Sequence, residues 1–284
     1  MRRRQLVVIA VMLLVVIGAA RRTEVRSALQ LPLGPIQKSG STVNPVFEGW
    51  YPNADGTKSI AFGYYNRNAE EAVDIPIGAD NAIAPGEANQ GQPTRFEPRR
   101  HWGVFAVKVP ASFDKEVVWT LKIRGETFAI PGYLHPNWQI DALEGEAGSG
   151  NTPPMLKFAE TGPEGNGPFG VTGGPMTARV GTPLALTVWA KDDGKASGSV
   201  ASAGRAAVPV TLTWFLHQGP AKVTFTPPTA RVPAAGGSAP VSATFSEPGS
   251  YVLRVRANDA SGVAGAGHAQ CCWTNGFVKV TVSR

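Results

Sequence analysis

Within residues 59–65, Ile60, Phe62 and Tyr64 fall on one face while Ala61, Gly63 and Tyr65 fall on the other. This is the two-residue period of a strand that lays one face on a core. Runs of strand composition flank it at 43–50, 72–77, 104–109, 117–123 and 127–130. Pro52, Asn53, Asp55 and Gly56 supply a turn between the first two runs, and Arg124, Gly125 and Glu126 a tight one between the last two. The second half repeats the texture at 183–190, 208–216, 223–226, 241–245, 251–257 and 277–282, with a shorter run at 155–158. Between Ala142 and Pro175 the alternation fails over long stretches and Gly and Pro accumulate, which marks a boundary. The pattern predicts a β-sandwich over 42–141, a Gly/Pro-rich linker over 142–154 and a second β-sandwich over 155–284.

The first twenty residues obey a different rule. Arg2, Arg3 and Arg4 precede an apolar run from Leu6 to Ile17, and Gly18, Ala19 and Ala20 follow. That is a secretory signal pattern, and residues 1–27 are assigned to a signal peptide or signal anchor. The stretch 6–20 falls short of the ~20 apolar residues of a comfortable span, so cleavage is favoured over anchoring. Against cleavage stand Arg21 and Arg22, because a span can shorten by snorkelling its flanking arginines. The expected location is therefore exported (periplasm, cell surface or extracellular space), with membrane contact only through an uncleaved N-terminal segment.

Charge and composition narrow the function. Six arginines and one glutamate in residues 1–27 account for +5 of the formal +6. The remainder lacks the basic footprint of a nucleic-acid partner, Arg99–Arg100 being its only basic run. With 33 Gly, 24 Pro and 17% charged residues, short strands and turns are expected over long solvated helices. The two cysteines, Cys271 and Cys272, are adjacent and close no long loop, so hydrophobic cores must hold the modules.

In the second module, Leu212-Thr213-Trp214, then Gly219-Pro220, then 223–227, and later Ala243-Thr244-Phe245-Ser246-Glu247-Pro248-Gly249-Ser250-Tyr251-Val252-Leu253 resemble the PKD (polycystic kidney disease) repeat class of immunoglobulin-like domains. The resemblance covers roughly 150–284. It implies a sandwich with Trp214 between the sheets and Tyr251 in a tyrosine-corner role, in a module class used for adhesion and spacing. The fold class expected is all-β: two β-sandwich (immunoglobulin-like) domains after an N-terminal hydrophobic signal segment.

The residues capable of chemistry form four groups. Of the histidines 101, 135, 217 and 268, none stands in a His-Glu-x-x-His stretch and no serine occupies a Gly-x-Ser-x-Gly elbow; His101 reads as a solvated loop residue and His217 as a strand-end cap. Carboxylates for sugar hydrolysis could be drawn from Glu48, Asp141, Glu144 or Glu146. Asp192 and Asp193, with Asn258 and Asp259, follow strand ends and could hold a cation such as calcium, although turns also favour these residues. Cys271 and Cys272, beside His268 and Trp273, could form a vicinal disulfide, remain buried thiols, or bind a soft metal. No cofactor is required by any of this. The loop 191–207 is expected to share a pole with the cysteine loop.

A binding surface is the remaining reading. Trp50, Tyr51, Tyr64, Tyr65, Trp102, Trp138 and Trp273 occur near strand ends, with Asn66, Arg67, Asn68, Asn81, Gln90 and Gln92 nearby in sequence. Aromatic faces with amides beside them suit carbohydrate or a cell-surface protein. The expected function is a non-catalytic exported binding or scaffold protein. The alternatives are a small redox or metal protein using the Cys271–Cys272 loop and, behind it, a glycoside hydrolase.

Overall fold

A computed structural model describes residues 37–143, 150–195, 209–259 and 271–284. Residues 1–27, expected to form a signal segment, Glu144 and Glu146, most of the loop 191–207 and His268 lie outside the described residues. Among the described residues the protein is all-β, with no α-helix. No helix among them is long and apolar enough to cross a membrane.

The first module is built on β1 (Val43–Pro52), β2 (Lys58–Asn66) and β6 (Arg99–Val109), an antiparallel sheet with β2 in the centre. Facing it is a sheet of β4 (Asn81–Ala84), β7 (Val117–Ile123) and β8 (Glu126–Gly132), and a small ribbon pairs β3 (Val73–Asp74) with β5 (Arg95–Phe96). Ile60, Phe62 and Tyr64 enter one core with Phe96, Phe105, Trp119 and Leu121. The opposite face of β2 is covered as well: Ala61 packs with Tyr51, Ala106, Ile140 and Ala142. Both sides of this strand are dry because the segment after a short 3₁₀ turn (Pro136–Trp138) runs beside β1, where the Ile140 amide donates to the Trp50 carbonyl at 2.9 Å.

The second module is a two-sheet sandwich. One sheet has the order β10 (Val171–Arg179), β17 (Trp273–Ser283), β16 (Gly249–Asn258), β12 (Val210–Gln218), β14 (Thr229–Val232). The other has the order β13 (Val223–Thr226), β15 (Gly237–Phe245), β11 (Leu184–Lys191), β9 (Met155–Lys157). All pairings are antiparallel except β10 with β17. This division of strands is that of an immunoglobulin-like sandwich. Trp214 is buried between the sheets, 5.8 Å from the Phe225 ring. The Tyr251 hydroxyl donates to the Glu247 carbonyl at 2.7 Å, tying down the Pro248–Gly249 turn. Both residues occupy the positions the resemblance implied.

β10 was not expected, because its Gly-Gly-Pro text reads as linker. A Cβ at Gly173 would stand 2.6 Å from the Phe158 ring, so the strand is glycine-rich to let that ring close on its backbone. The connector 142–154 is not free chain either. Ala142, Asn151, Pro153 and Pro154 are buried, and the Pro154 carbonyl accepts the Thr274 hydroxyl at 2.5 Å.

Candidate functional site

Along β16 and β17, Leu253, Val255, Val278 and Val280 point into the sandwich core. The alternate positions, Val252, Arg254 and Arg256 with Asn275, Phe277 and Lys279, therefore line the outer face. Text of this kind normally faces water, yet Arg254 is 2% exposed and Asn275 fully buried. The first module covers them. Asn275 Nδ2 donates to the carbonyls of Gly103 (2.8 Å) and Pro168 (2.8 Å), and its Oδ1 accepts Arg254 Nη1 at 3.2 Å. Trp273 Nε1 also donates to the Gly103 carbonyl, at 3.1 Å.

A register shift between Leu216 and Gln218 lets both His217 and Gln218 reach the loop before β5. The His217 carbonyl accepts the Thr94 amide at 2.8 Å, and Gly219 N donates to Thr94 Oγ1 at 3.1 Å. His217 Nε2 donates to the Gly91 carbonyl at 2.7 Å, and Gln218 Nε2 donates to the Gln92 carbonyl at 2.6 Å and to Asn89 Oδ1 at 3.0 Å. Tyr51 completes the junction, its hydroxyl accepting the Phe169 amide at 2.9 Å. The described residues accordingly form one compact unit.

The junction leaves a groove of about 330 Å³. Asn89, Gln90 and Gly91 with Phe105 and Ala106 form its first-module wall; Phe169, Thr172, His217, Gln218, Val252, Phe277 and Lys279 form the other. The volume suits a small ligand or a few units of a polymer. Burial holds the His217 pKa down at about 3, the nearby Arg254 charge pushing the same way, so the ring is neutral and Nε2–H serves only as a donor. Burial likewise lowers Arg254 to about 9, still cationic at neutral pH. Its guanidinium lies 4.6 Å from the Phe215 ring centroid.

The anticipated site residues fare unequally. Trp50, Tyr51 and Asn66 are buried, which corrects their assignment to a ligand surface. Trp50 Nε1 donates to the His135 carbonyl at 2.8 Å, and Asn66 Nδ2 to the carbonyls of Glu71 and Phe96. Their polar atoms complete a core, as buried polar groups must. Tyr65 and Trp102 are half-buried under Arg99 (5.4 Å) and Arg100 (3.8 Å). Arg67 is exposed, and Trp138 is 45% exposed beside Phe47. None of the seven lines the groove. Of the anticipated amides only Gln90 does; Asn81 and Gln92 are buried.

His101 corrects the solvated-loop reading. It lies in β6, stacked 4.9 Å from Tyr64, with its pKa held at about 3 by burial and then by the Arg254 and Arg256 charges. His217 is a junction residue and not a simple strand cap. Glu48 is buried against Arg100, whose Nη2 stands 2.7 and 2.9 Å from its two oxygens. Asp141 is exposed.

Cys271 and Cys272 are joined as a disulfide and are 2% and 1% exposed. Sulfurs bonded to each other are not thiolate ligands, so in this state the pair offers no soft-metal site. The Asn151 carbonyl lies 3.8 Å from Cys272 Sγ, and its Nδ2 donates to Asp259 Oδ2 at 2.8 Å. Asp193 Oδ2 accepts from Thr152 N and Oγ1. One pole thus gathers Cys272, Asp259 and Asp193 around residues 151–152. Burial raises the Asp192 pKa to about 6, with Asp259 and Asp193 adding to the rise. Among the described residues no three His, Cys, Asp or Glu side chains come together to hold a metal ion.

Fold and groove together define an immunoglobulin-like β-sandwich protein with a cleft between two joined modules. No protein-family model and no curated protein matches the chain. Solved structures with some likeness include the D00-D0 domain of Intimin (12% identity, TM-score 0.26, 84% of this chain and 100% of that one). Another is WR4, a C. elegans MSP family member (12% identity, TM-score 0.25, 38% of this chain and 94% of that one). Neither likeness bears on function, and the sandwich assignment rests on the strand order above.

Proposed function

We propose that this chain is an exported, non-catalytic binding protein whose two β modules, held as one unit, present a ligand groove at their junction. The observation that carries the reading is the groove itself: both modules contribute walls, and hydrogen bonds accepted by Tyr51 and Thr94 and donated by His217 and Gln218 fix their spacing. A pre-formed cleft avoids the ordering cost of binding. Phe169 and Phe277 beside Asn89, Gln90 and Gln218 offer ring faces next to amides, the combination that suits a carbohydrate. Export is supported by the arginine-led apolar segment at the N-terminus. A PKD-like ancestry for the second module is supported by the Trp214 and Tyr251 positions.

The test is binding of the full-length protein to cell-envelope polysaccharides on a glycan array, compared with Thr172→Trp, which fills the groove from an exposed position. Loss of binding with an unchanged unfolding midpoint is expected. Undiminished binding by the variant would refute the assignment to the groove.

A further inference from the structure

The groove is electrically one-sided. Its lining contains a lysine and no aspartate or glutamate. Lys279 is exposed on β17, and its Cα partner on β16 is Val252, also in the lining. One step along the same pair of strands, Arg254 is the Cα partner of Phe277, which places a buried guanidinium beside the ring that floors the groove. Arg254 makes no ion pair within 4 Å among the described residues; Asn275 Oδ1 accepts from it and the Phe215 ring lies 4.6 Å away, while the Arg256 charge repels it and Glu97 attracts it from beyond ion-pair distance. Lys108 adds a third cation, 4.7 Å from the centroid of Phe169, although it is shared with Asp55 at 3.2 Å. A charge held behind a partly dry wall is screened much less than one in open solvent.

The polar groups left over match a sugar better than a peptide. Gln218 Nε2 and Asn89 Oδ1 are committed to the junction. Gln218 Oε1 and Asn89 Nδ2 carry no hydrogen bond among the described residues and remain for hydroxyl groups. The second-module wall comes largely from the face of a sheet: Val252 on β16 and Phe277 and Lys279 on β17 belong to strands paired on both sides, whereas Thr172 lies on β10, the edge strand. At β16 and β17, which carry the aromatic and cationic part of that wall, an extended peptide finds no open strand edge to add to; the sheet's open edge here is β10. Two phenylalanines supply flat apolar surface instead.

We infer that the groove takes an acidic saccharide, its carboxylate at Lys279 and its apolar ring face on Phe277 and Phe169. The inference rests on the binding reading above and adds the ligand's charge and class. Titration calorimetry of the full-length protein at low ionic strength tests it with three probes, a uronic-acid tetrasaccharide, a neutral tetrasaccharide of the same linkage and an acidic hexapeptide, and the first is repeated at high ionic strength, about 0.5 M salt. The expected result is that the acidic sugar binds about tenfold more tightly than the neutral one, the worth of one charge-assisted hydrogen bond. Salt should remove most of that advantage, and Lys279→Gln should erase it, so that the acidic and neutral sugars bind the variant equally.

Equal affinity for both sugars would overturn the charge inference and leave the groove reading standing. Binding by the hexapeptide and not by either sugar would overturn the saccharide assignment. An unaltered acidic-sugar affinity in Lys279→Gln would place the carboxylate elsewhere and overturn the site. No binding by any probe would count against the groove reading as well.

Discussion

Gly103 offers the sharpest probe of the junction. Its carbonyl accepts from both Trp273 and Asn275, its φ is +44°, and a Cβ there would overlap the Trp273 indole. Gly103→Ala therefore combines two penalties. A left-handed conformation costs a non-glycine residue about 1–2 kcal/mol. The indole is fully buried and must also move, with loss of its hydrogen bond at about 1 kcal/mol and overpacking at about 1–3 kcal/mol. The sum is about 3–6 kcal/mol if no term is relieved by relaxation.

Gly56→Ala is the control: φ is +82° and nothing lies within 4 Å of the added Cβ, so only the backbone penalty applies, about 1–2 kcal/mol. Urea unfolding of the full-length protein, followed by tryptophan fluorescence, measures both. A single transition is expected for the wild type, with Gly103→Ala less stable than the control by at least about 2 kcal/mol. Equal losses in the two variants would show that Trp273 is not wedged against Gly103, and the close junction would be refuted.

Three further outcomes follow from the geometry. Tyr251→Phe should lower stability by about 1 kcal/mol through loss of the hydroxyl bond to Glu247, read as a shift in the urea midpoint; no shift would remove the tyrosine corner from the stability of the second module. His217, neutral in the fold with a pKa of about 3 and ordinarily near 6.5, makes stability fall as pH drops below about 6.5, by about 2 kcal/mol at pH 5. His217→Gln should flatten that part of the profile, while Asp192, raised to about 6, works in the opposite sense between pH 6 and 4, so Asp192→Asn should steepen the acid loss; an unchanged profile in either variant would refute its assignment. Native protein without reductant should resist alkylation at Cys271 and Cys272, both buried and bonded, and their peptide should run about 2 Da light; two alkylated thiols would refute the disulfide.

Much of the strand pattern was legible in the chain, because a two-residue hydrophobic period is a local property. The run at 223–226 coincides with β13, and Trp214 and Tyr251 could be placed in a sandwich from their neighbours alone. Some edge elements were not legible. β10 was hidden because closeness to Phe158 demands glycines, which in sequence look the same as the glycines of a linker. β14 (Thr-Ala-Arg-Val) and β4 (Asn-Ala-Ile-Ala) each carry one large apolar residue and so show no alternation, unlike the equally short β13 with Val223 and Phe225.

The groove belongs to the tertiary structure. Arg254, Arg256, Asn275 and Lys279 alternate with core residues in the manner of any solvated outer face, and local pattern has no means of saying that a second module lies against them. The sequence did hold one trace: Phe215 and Phe277 occupy that outer parity, where rings are out of place beside water. For the same reason Trp50, Tyr51 and Asn66 read as surface, since strand-end aromatics and amides look alike whether solvent or another segment meets them. Periodicity along the chain set which way each side chain points from its strand; the packing of one module on the other decided which of those directions ends in water, in a buried junction or in a cleft.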